Sequence, residues 1–253
     1  MKAPLLLFTF FLAFTQSYAD PQIYKSQSGL QGLKNSTGKI LTLPIFTKVS
    51  KFINKTARVQ VNQQWGLINS QGNWIVRPIY DKINNFHNGI AKVTFEGKVG
   101  FIAQSGKEIT PIIYDKAHDF QNGVARFSQN KQWGLVNTKG EKITLCIFQA
   151  ISSFYGDYAL IKLDNKIGVI HKSGKNIIPL DYTKAKFLNS DTIALQKKDS
   201  WLILNTKTLF KKTYKAQEIK IFSTKLLQLK QNQKWGLLTT SGNWQVSPIF
   251  DQI

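Results

Sequence analysis

The sequence predicts an all-β protein of seven 34-residue units, each a β-hairpin extended to three short strands. The units are expected to form an open twisted array, with a closed seven-bladed β-propeller as the alternative. Three observations predict this. Residue columns recur along the chain with a single period of 34. Apolar and polar side chains alternate inside the unit. Asn and Gly punctuate each unit at fixed places. At 42% hydrophobic and 12% aromatic residues the chain can build a core, which excludes disorder along its whole length.

The columns are explicit. One glycine column runs Gly32, Gly66, Gly100, Gly134, Gly168 and Gly236, with Leu202 in the gap. A second runs Gly38, Gly72, Gly106, Gly140, Gly174 and Gly242, with Thr208 in the gap. An aromatic column holds Phe46, Tyr80, Tyr114, Phe148, Tyr182 and Phe250, interrupted by Ala216. Phe52, Phe86, Phe120, Phe154 and Phe222 form another, with Leu188 between, and Ala57, Ala91, Ala125 and Ala159 a fifth. A period of 34 also suits helical hairpin repeats, so the pattern inside the unit decides.

Within the unit, Ala57-Arg58-Val59-Gln60-Val61-Asn62 and Ala91-Lys92-Val93-Thr94-Phe95-Glu96 alternate at period two, the signature of a half-buried strand. Glu96-Gly97, Asn130-Lys131 and Asp164-Asn165 then read as turns. A second strand carries Trp65-Gly66-Leu67-Ile68 and its equivalents. Asn69-Ser70-Gln71-Gly72 closes a tight turn, because Asn bonds backbone two residues on and Gly accepts positive φ. A third strand follows, as in Trp74-Ile75-Val76-Arg77-Pro78-Ile79-Tyr80, whose Pro suits an edge. Two Gly and often a Pro per unit oppose packed helices.

Ahead of the array, residues 1–19 combine Lys2, an apolar run from Leu5 to Phe14, and the small residues Ser17 and Ala19. That is the pattern of a cleaved secretory signal peptide, and the run is too short to span a bilayer. The expected exported chain is 20–253, periplasmic or secreted, with no transmembrane segment after cleavage. The sixth unit, about 193–226, is degenerate. Leu202 and Thr208 stand for Gly there, and strain in its packing and its turn is expected.

Phe120-x-x-Gly123-x-Ala125 leads through a turn to Trp133-Gly134-Leu135-Val136-Asn137-x-x-Gly140, and the second unit adds Pro78-Ile79-Tyr80-Asp81. Trp-Gly recurs at Trp65-Gly66 and Trp235-Gly236. This resembles the WG (KWG) repeat family of bacterial proteins, over almost the whole chain after residue 19. Units one, three, five and six depart at Gln31-Gly32, Val99-Gly100, Ile167-Gly168 and Trp201-Leu202. The resemblance implies a β-rich repeat array and no defined biochemical activity.

Trp65, Trp133, Trp201 and Trp235 are read as structural, along with Gly66, Gly100, Gly134, Gly168 and Gly236. Each Gly leaves room on the sheet surface and each indole packs over the next unit. Trp74 and Trp244 are the candidate ligand surface. They share a column just after a turn where other units carry Glu108, Lys142 and Asn176, so the repeat itself requires no indole there.

No catalytic, metal or cofactor residue is assigned, and the chain is not expected to be an enzyme. His171 stands in the Asn column of Asn35, Asn69, Asn137 and Asn205 and reads as a turn former. His87 and His118 lack metal-ligand spacing. Asp81, Asp115 and Asp251 share a strand-end column. Cys146 occupies the Pro column of the fourth unit and reads as a small buried hydrophobe. One cysteine excludes an internal disulfide framework.

The formal charge is +20, from 34 Lys+Arg against 14 Asp+Glu, and only Arg58, Arg77 and Arg126 are Arg. Lysines spread through every unit suit solubility and guarded strand edges before specific phosphate recognition. The first functional expectation is a non-catalytic binding or scaffold module for a protein or glycan of the bacterial cell envelope. The alternative is an electrostatic binder of an anionic envelope polymer, lipopolysaccharide or nucleic acid. A hydrolase with a site between repeats ranks last.

Overall fold

The structure is a computed structural model and describes residues 20–223 and 225–252; the signal-peptide reading of residues 1–19 lies outside them. The described chain is all-β, seven small antiparallel sheets of three or four strands, none closed into a barrel. The first sheet has three strands, Gln22–Lys25, Gln31–Lys34 and Ile40–Phe46. The second is typical of the rest: Lys48–Val49, Thr56–Val61, Gln64–Asn69 and Trp74–Tyr80, hydrogen-bonded in chain order. We call these the opening, alternating, Trp-Gly and closing strands. Later sheets open at Lys82, Lys116, Ala150, Lys184 and Glu218, which keeps the 34-residue period. The two-residue opening strand adds to the three strands that alternation predicts; a strand that short carries no readable period.

The sheets fall into two compact units that divide between Tyr80 and Asp81. In the first, Leu33 and Phe46 of one sheet share a core with Phe52, Ala57, Val59 and Ile68 of the next. In the second, the fourth and fifth sheets pool Leu135 and Phe148 with Ile151, Ala159 and Ile161. Within each unit these cores are shared across the junction of neighbouring sheets, as in other repeat proteins.

The hairpins are set by backbone handedness. Asn62 and Gln63 have φ of 47° and 69°, and Asn130 and Lys131 53° and 64°. Two consecutive positive φ values match the twist of the flanking strands. The Asn column acts as anticipated. Asn69 Oδ1 accepts from the backbone N–H of Gln71 and Asn73 at 3.0 and 2.9 Å. His171 takes the same role, its Nδ1 3.2 Å from the Ser173 N–H.

The strand glycines have a different cause from the one expected. Trp65 pairs with Tyr80, yet Leu67 pairs with Val76 and Ile68 with Trp74. The closing strand therefore bulges around Arg77-Pro78, and Pro, which has no N–H to donate, fits the bulge. The bulged backbone crosses the glycine: a Cβ on Gly66 would lie 2.5 Å from the Val76 carbonyl oxygen. The room that Gly leaves is filled by its own sheet's closing strand.

The sixth sheet solves the same problem otherwise. Its strands are Lys184–Asn189, Thr192–Lys197, Ser200–Asn205 and Lys211–Lys215. Trp201 pairs with Tyr214, Leu202 with Thr213 and Ile203 with Lys212, without a register shift. With no bulge above it, Leu202 is buried against Ile193 and Leu204. The packing strain expected at Leu202 is absent. The strain expected at Thr208 sits one residue later: Asn205 N–H reaches Phe210 O at 2.9 Å, and Leu209 takes a φ of 55°.

Candidate functional site

Trp74 and Trp244 each open a closing strand and are half-buried. Trp74 stands edge-on to Phe46 of the preceding sheet, centroids 5.7 Å apart at 79°. Trp244 meets Tyr214 in the same way, at 6.1 Å and 81°. Both indoles thus spend part of their surface on inter-sheet packing.

The Trp-Gly indoles carry basic or imidazole covers from their own sheets. Arg58 lies 5.8 Å above Trp65, and His118 stacks on Trp133 at 5.3 Å. Lys186 lies 5.6 Å from Trp201, and Lys220 4.7 Å from Trp235. Apart from that of Arg58, which comes from the alternating strand, these contacts follow from position. Ser50, Asn84, His118, Ser152, Lys186 and Lys220 form one column just after the start of each opening strand.

A further use of the bases escaped sequence reasoning. Lys92 Nζ donates to the Ala117 carbonyl of the next sheet at 3.0 Å, and Arg126 Nη1 to that of Ile151 at 2.8 Å. In the sixth sheet Ala194 stands in that column, and Lys186 reaches the corresponding Ile219 carbonyl at 2.8 Å from the neighbouring strand. Between the fifth and sixth sheets Leu160 and Ala185 pack instead. The signal was present in the sequence as a basic column, Arg58, Lys92, Arg126, at one polar position of the alternating strands.

The acids are largely held. Asp115 Oδ1 accepts from Lys98 Nζ at 2.7 Å and Oδ2 from the Asn130 N–H of the next sheet at 2.8 Å. The Lys98 bond, then that N–H, holds the Asp115 carboxyl below the usual range. Bonds from Lys197 and Lys207 do the same for Asp181 and Asp191. Lys234 pairs with Asp251 at 2.6 Å. The Asp115, Asp181 and Asp191 carboxylates, kept ionised in this way, are poor general acids. His171 approaches Asp157 at 3.8 Å through Nε2. Among the described residues no group of three or more His, Cys, Asp or Glu is placed to hold a metal ion. Cys146 is half-buried against Phe101 and Phe127, and burial pushes its thiol up. Among the described residues no helix is long and apolar enough to cross a membrane.

Serial sheets of three or four strands that pool their cores with neighbours inside each compact unit define a β-repeat protein. The chain belongs to the WG containing repeat family: that family's model matches residues 32–65, 65–98, 100–133, 133–166 and 167–201. This repeat family and β-rich fold are those of a repeat-type binding module. No curated protein matches the chain. Among solved structures it is similar to a eukaryotic initiation factor, at 13% identity and TM-score 0.41, over 90% of this chain and 73% of that one. Hsv2p of Kluyveromyces lactis is 12% identical at TM-score 0.36, over 76% and 74%. PorZ, a surface component of the type-IX secretion system of Porphyromonas gingivalis, is 8% identical at TM-score 0.33, over 90% and 36%.

Proposed function

We propose that the chain is an exported, non-catalytic binding module of the bacterial cell envelope whose repeated surface receives a partner protein. One observation carries this reading. The closing strands keep an exposed isoleucine at one position, Ile45, Ile79, Ile113, Ile147 and Ile249, each 44–61% accessible. Leu43 and Leu145 beside two of them are 70% and 66% accessible. Sheet edges are usually guarded by charge, and a strand-former that need not contact the core can be Thr. An apolar side chain held outward in five units fits recognition by another protein. The surplus of bases suits a partner with an acidic rim around apolar side chains. The signal-peptide pattern of residues 1–19 supports export to the periplasm or medium.

The test pairs Ile113→Ser with Ile147→Ser and compares capture of envelope proteins with the unchanged chain at physiological salt. A partner held by the unchanged chain and lost by the double variant, with β-structure intact by circular dichroism, is the expected result. Identical capture by both overturns the reading.

The bases favour a second reading, an electrostatic binder of an anionic envelope polymer such as lipopolysaccharide, or of nucleic acid. Its affinity must fall steeply with salt; a flat salt dependence overturns it.

A further inference from the structure

Three features combine at the boundary between the sixth and seventh sheets to open one space; the boundary between the fourth and fifth sheets shares the loss of the Asp and Lys, at Gln149 and Gln132, but keeps the bulge and its aromatic, Phe148. The aromatic column falls to Ala216, because loss of the two-residue bulge moves the ring that faces Trp201 back to Tyr214. The Asp column falls to Gln217, and the Lys that would clasp it falls to Ser200. At the boundary of the third and fourth sheets these positions are Tyr114, Asp115 and Lys98, and Asp115 ties Lys98 to the Asn130 turn. Gln217 bridges through its backbone, its N–H donating to Lys230 O at 2.9 Å, and beside it Gln231 Nε2 of the seventh sheet donates to Lys215 O at 2.6 Å.

What remains is a groove of about 470 Å³ lined by Gln196, Asp199, Lys215, Ala216, Gln217 and Asn232. Among the described residues, the side chains of Gln196, Asp199, Gln217 and Asn232 make no hydrogen bond or ion pair. Gln196 is also the ladder partner of Trp201, whose buried indole N–H has no acceptor among the described residues. Three amides, each both donor and acceptor, and one carboxylate thus converge unspent in a volume typical of small-ligand sites.

We propose that this groove is a saccharide site taking an uncharged sugar residue by its hydroxyls. A hydroxyl is donor and acceptor at once, and a primary amide answers both roles with one planar group. A carboxylate accepts from two neighbouring hydroxyls. A phosphate or other polyanion would face Asp199, with Lys215 the one base among the described residues that line the groove. An apolar ligand would strand the amides, at a cost in desolvation. The site is independent of the outward isoleucines, which lie on other sheets or on the seventh sheet's far strand.

The probes are neutral chito- and cello-oligosaccharides, followed by titration calorimetry and saturation-transfer NMR on the purified protein. The double variant Asp199→Ala/Gln217→Ala changes two exposed side chains without partners, so thermal unfolding should match the parent. Gln149→Ala, at the Gln217 position of the fourth unit's end, is the control. The expected result is an affinity at least tenfold weaker in the double variant and unchanged in the control. Equal binding by the double variant overturns the site. Absence of binding by the parent at millimolar oligosaccharide, or binding of polyanions alone with a steep salt dependence, overturns the ligand class.

Discussion

Gly140→Ala isolates what the turn glycines contribute. Gly140 has a φ of +85°, and a Cβ built there would lie 1.8 Å from the Ile109 carbonyl oxygen of the preceding sheet. The obstacle is backbone, so no rotamer change relieves it. Gly123 is a matched control, with a φ of +83° and nothing within 4 Å of its Cβ. Placing Ala at positive φ costs about 1–2 kcal/mol. Ordering Ala in place of Gly returns about 0.5–1 kcal/mol through the unfolded chain. Gly123→Ala should therefore lose about 0.5–1 kcal/mol. Gly140→Ala carries the same balance plus overpacking of about 1–3 kcal/mol.

Repeat arrays need not unfold in one step, so urea melts followed by Trp fluorescence should be paired with hydrogen exchange. Exchange should rise in Glu108–Tyr114 and Lys142–Phe148, the strands beside the forced contact. Equal losses for the two variants, or exchange raised evenly along the chain, would refute the claim that the turn glycine exists for sheet-to-sheet approach.

Four other outcomes follow from the geometry. Leu209→Gly should stabilise the protein by up to about 1 kcal/mol by relieving a bulky residue at a φ of 55°, read as a higher urea midpoint. Arg126→Ala should lose about 1.5–3 kcal/mol, the range for a hydrogen bond to a charged group, with Arg126→Lys recovering part because Lys92 makes the same bond. Burial first, then Arg126 and Lys92, hold His118 below its ordinary value near 6.5. Its stabilising effect is complete above about pH 6.5 and is lost as pH falls through the depressed value, a loss His118→Ser should remove from the pH profile of unfolding. Leu202→Gly, although it restores the column residue, should cost about 2–5 kcal/mol in the same urea assay, because no bulge fills the space.

Periodicity made most of the fold legible. Asn69, Gly72 and the alternating strands fixed turns and pairing directly, because each acts through its own backbone or its near neighbours. Gly66 was legible as a requirement and not as a cause, since the bulge that crosses it lies ten residues on at Val76 to Pro78. The Lys92 and Arg126 contacts were hidden because a long side chain reaches a carbonyl 25 residues away, and only a structure says which one. The groove residues were invisible for the opposite reason. Gln196, Gln217 and Asn232 look like ordinary surface amides until Ala216 and Ser200 are placed between them.

Those last substitutions are better read together than as decay. Glycine at position 202 without the bulge leaves a hole, and leucine there with the bulge drives into a carbonyl, as the 2.5–3.0 Å approaches at Gly66 and Gly134 show. Leu202, the straight ladder to Tyr214 and Ala216 therefore form one coupled solution, in which each part is harmful alone. Random erosion of a repeat would break such a set one member at a time. The sixth sheet instead keeps a continuous core, with Leu202, Ile203 and Leu204 all buried. It departs from the family pattern where the departure opens polar space to solvent. That combination, a filled interior beside an altered rim, is what a repeat protein needs to carry one site on one unit while the other units hold the scaffold.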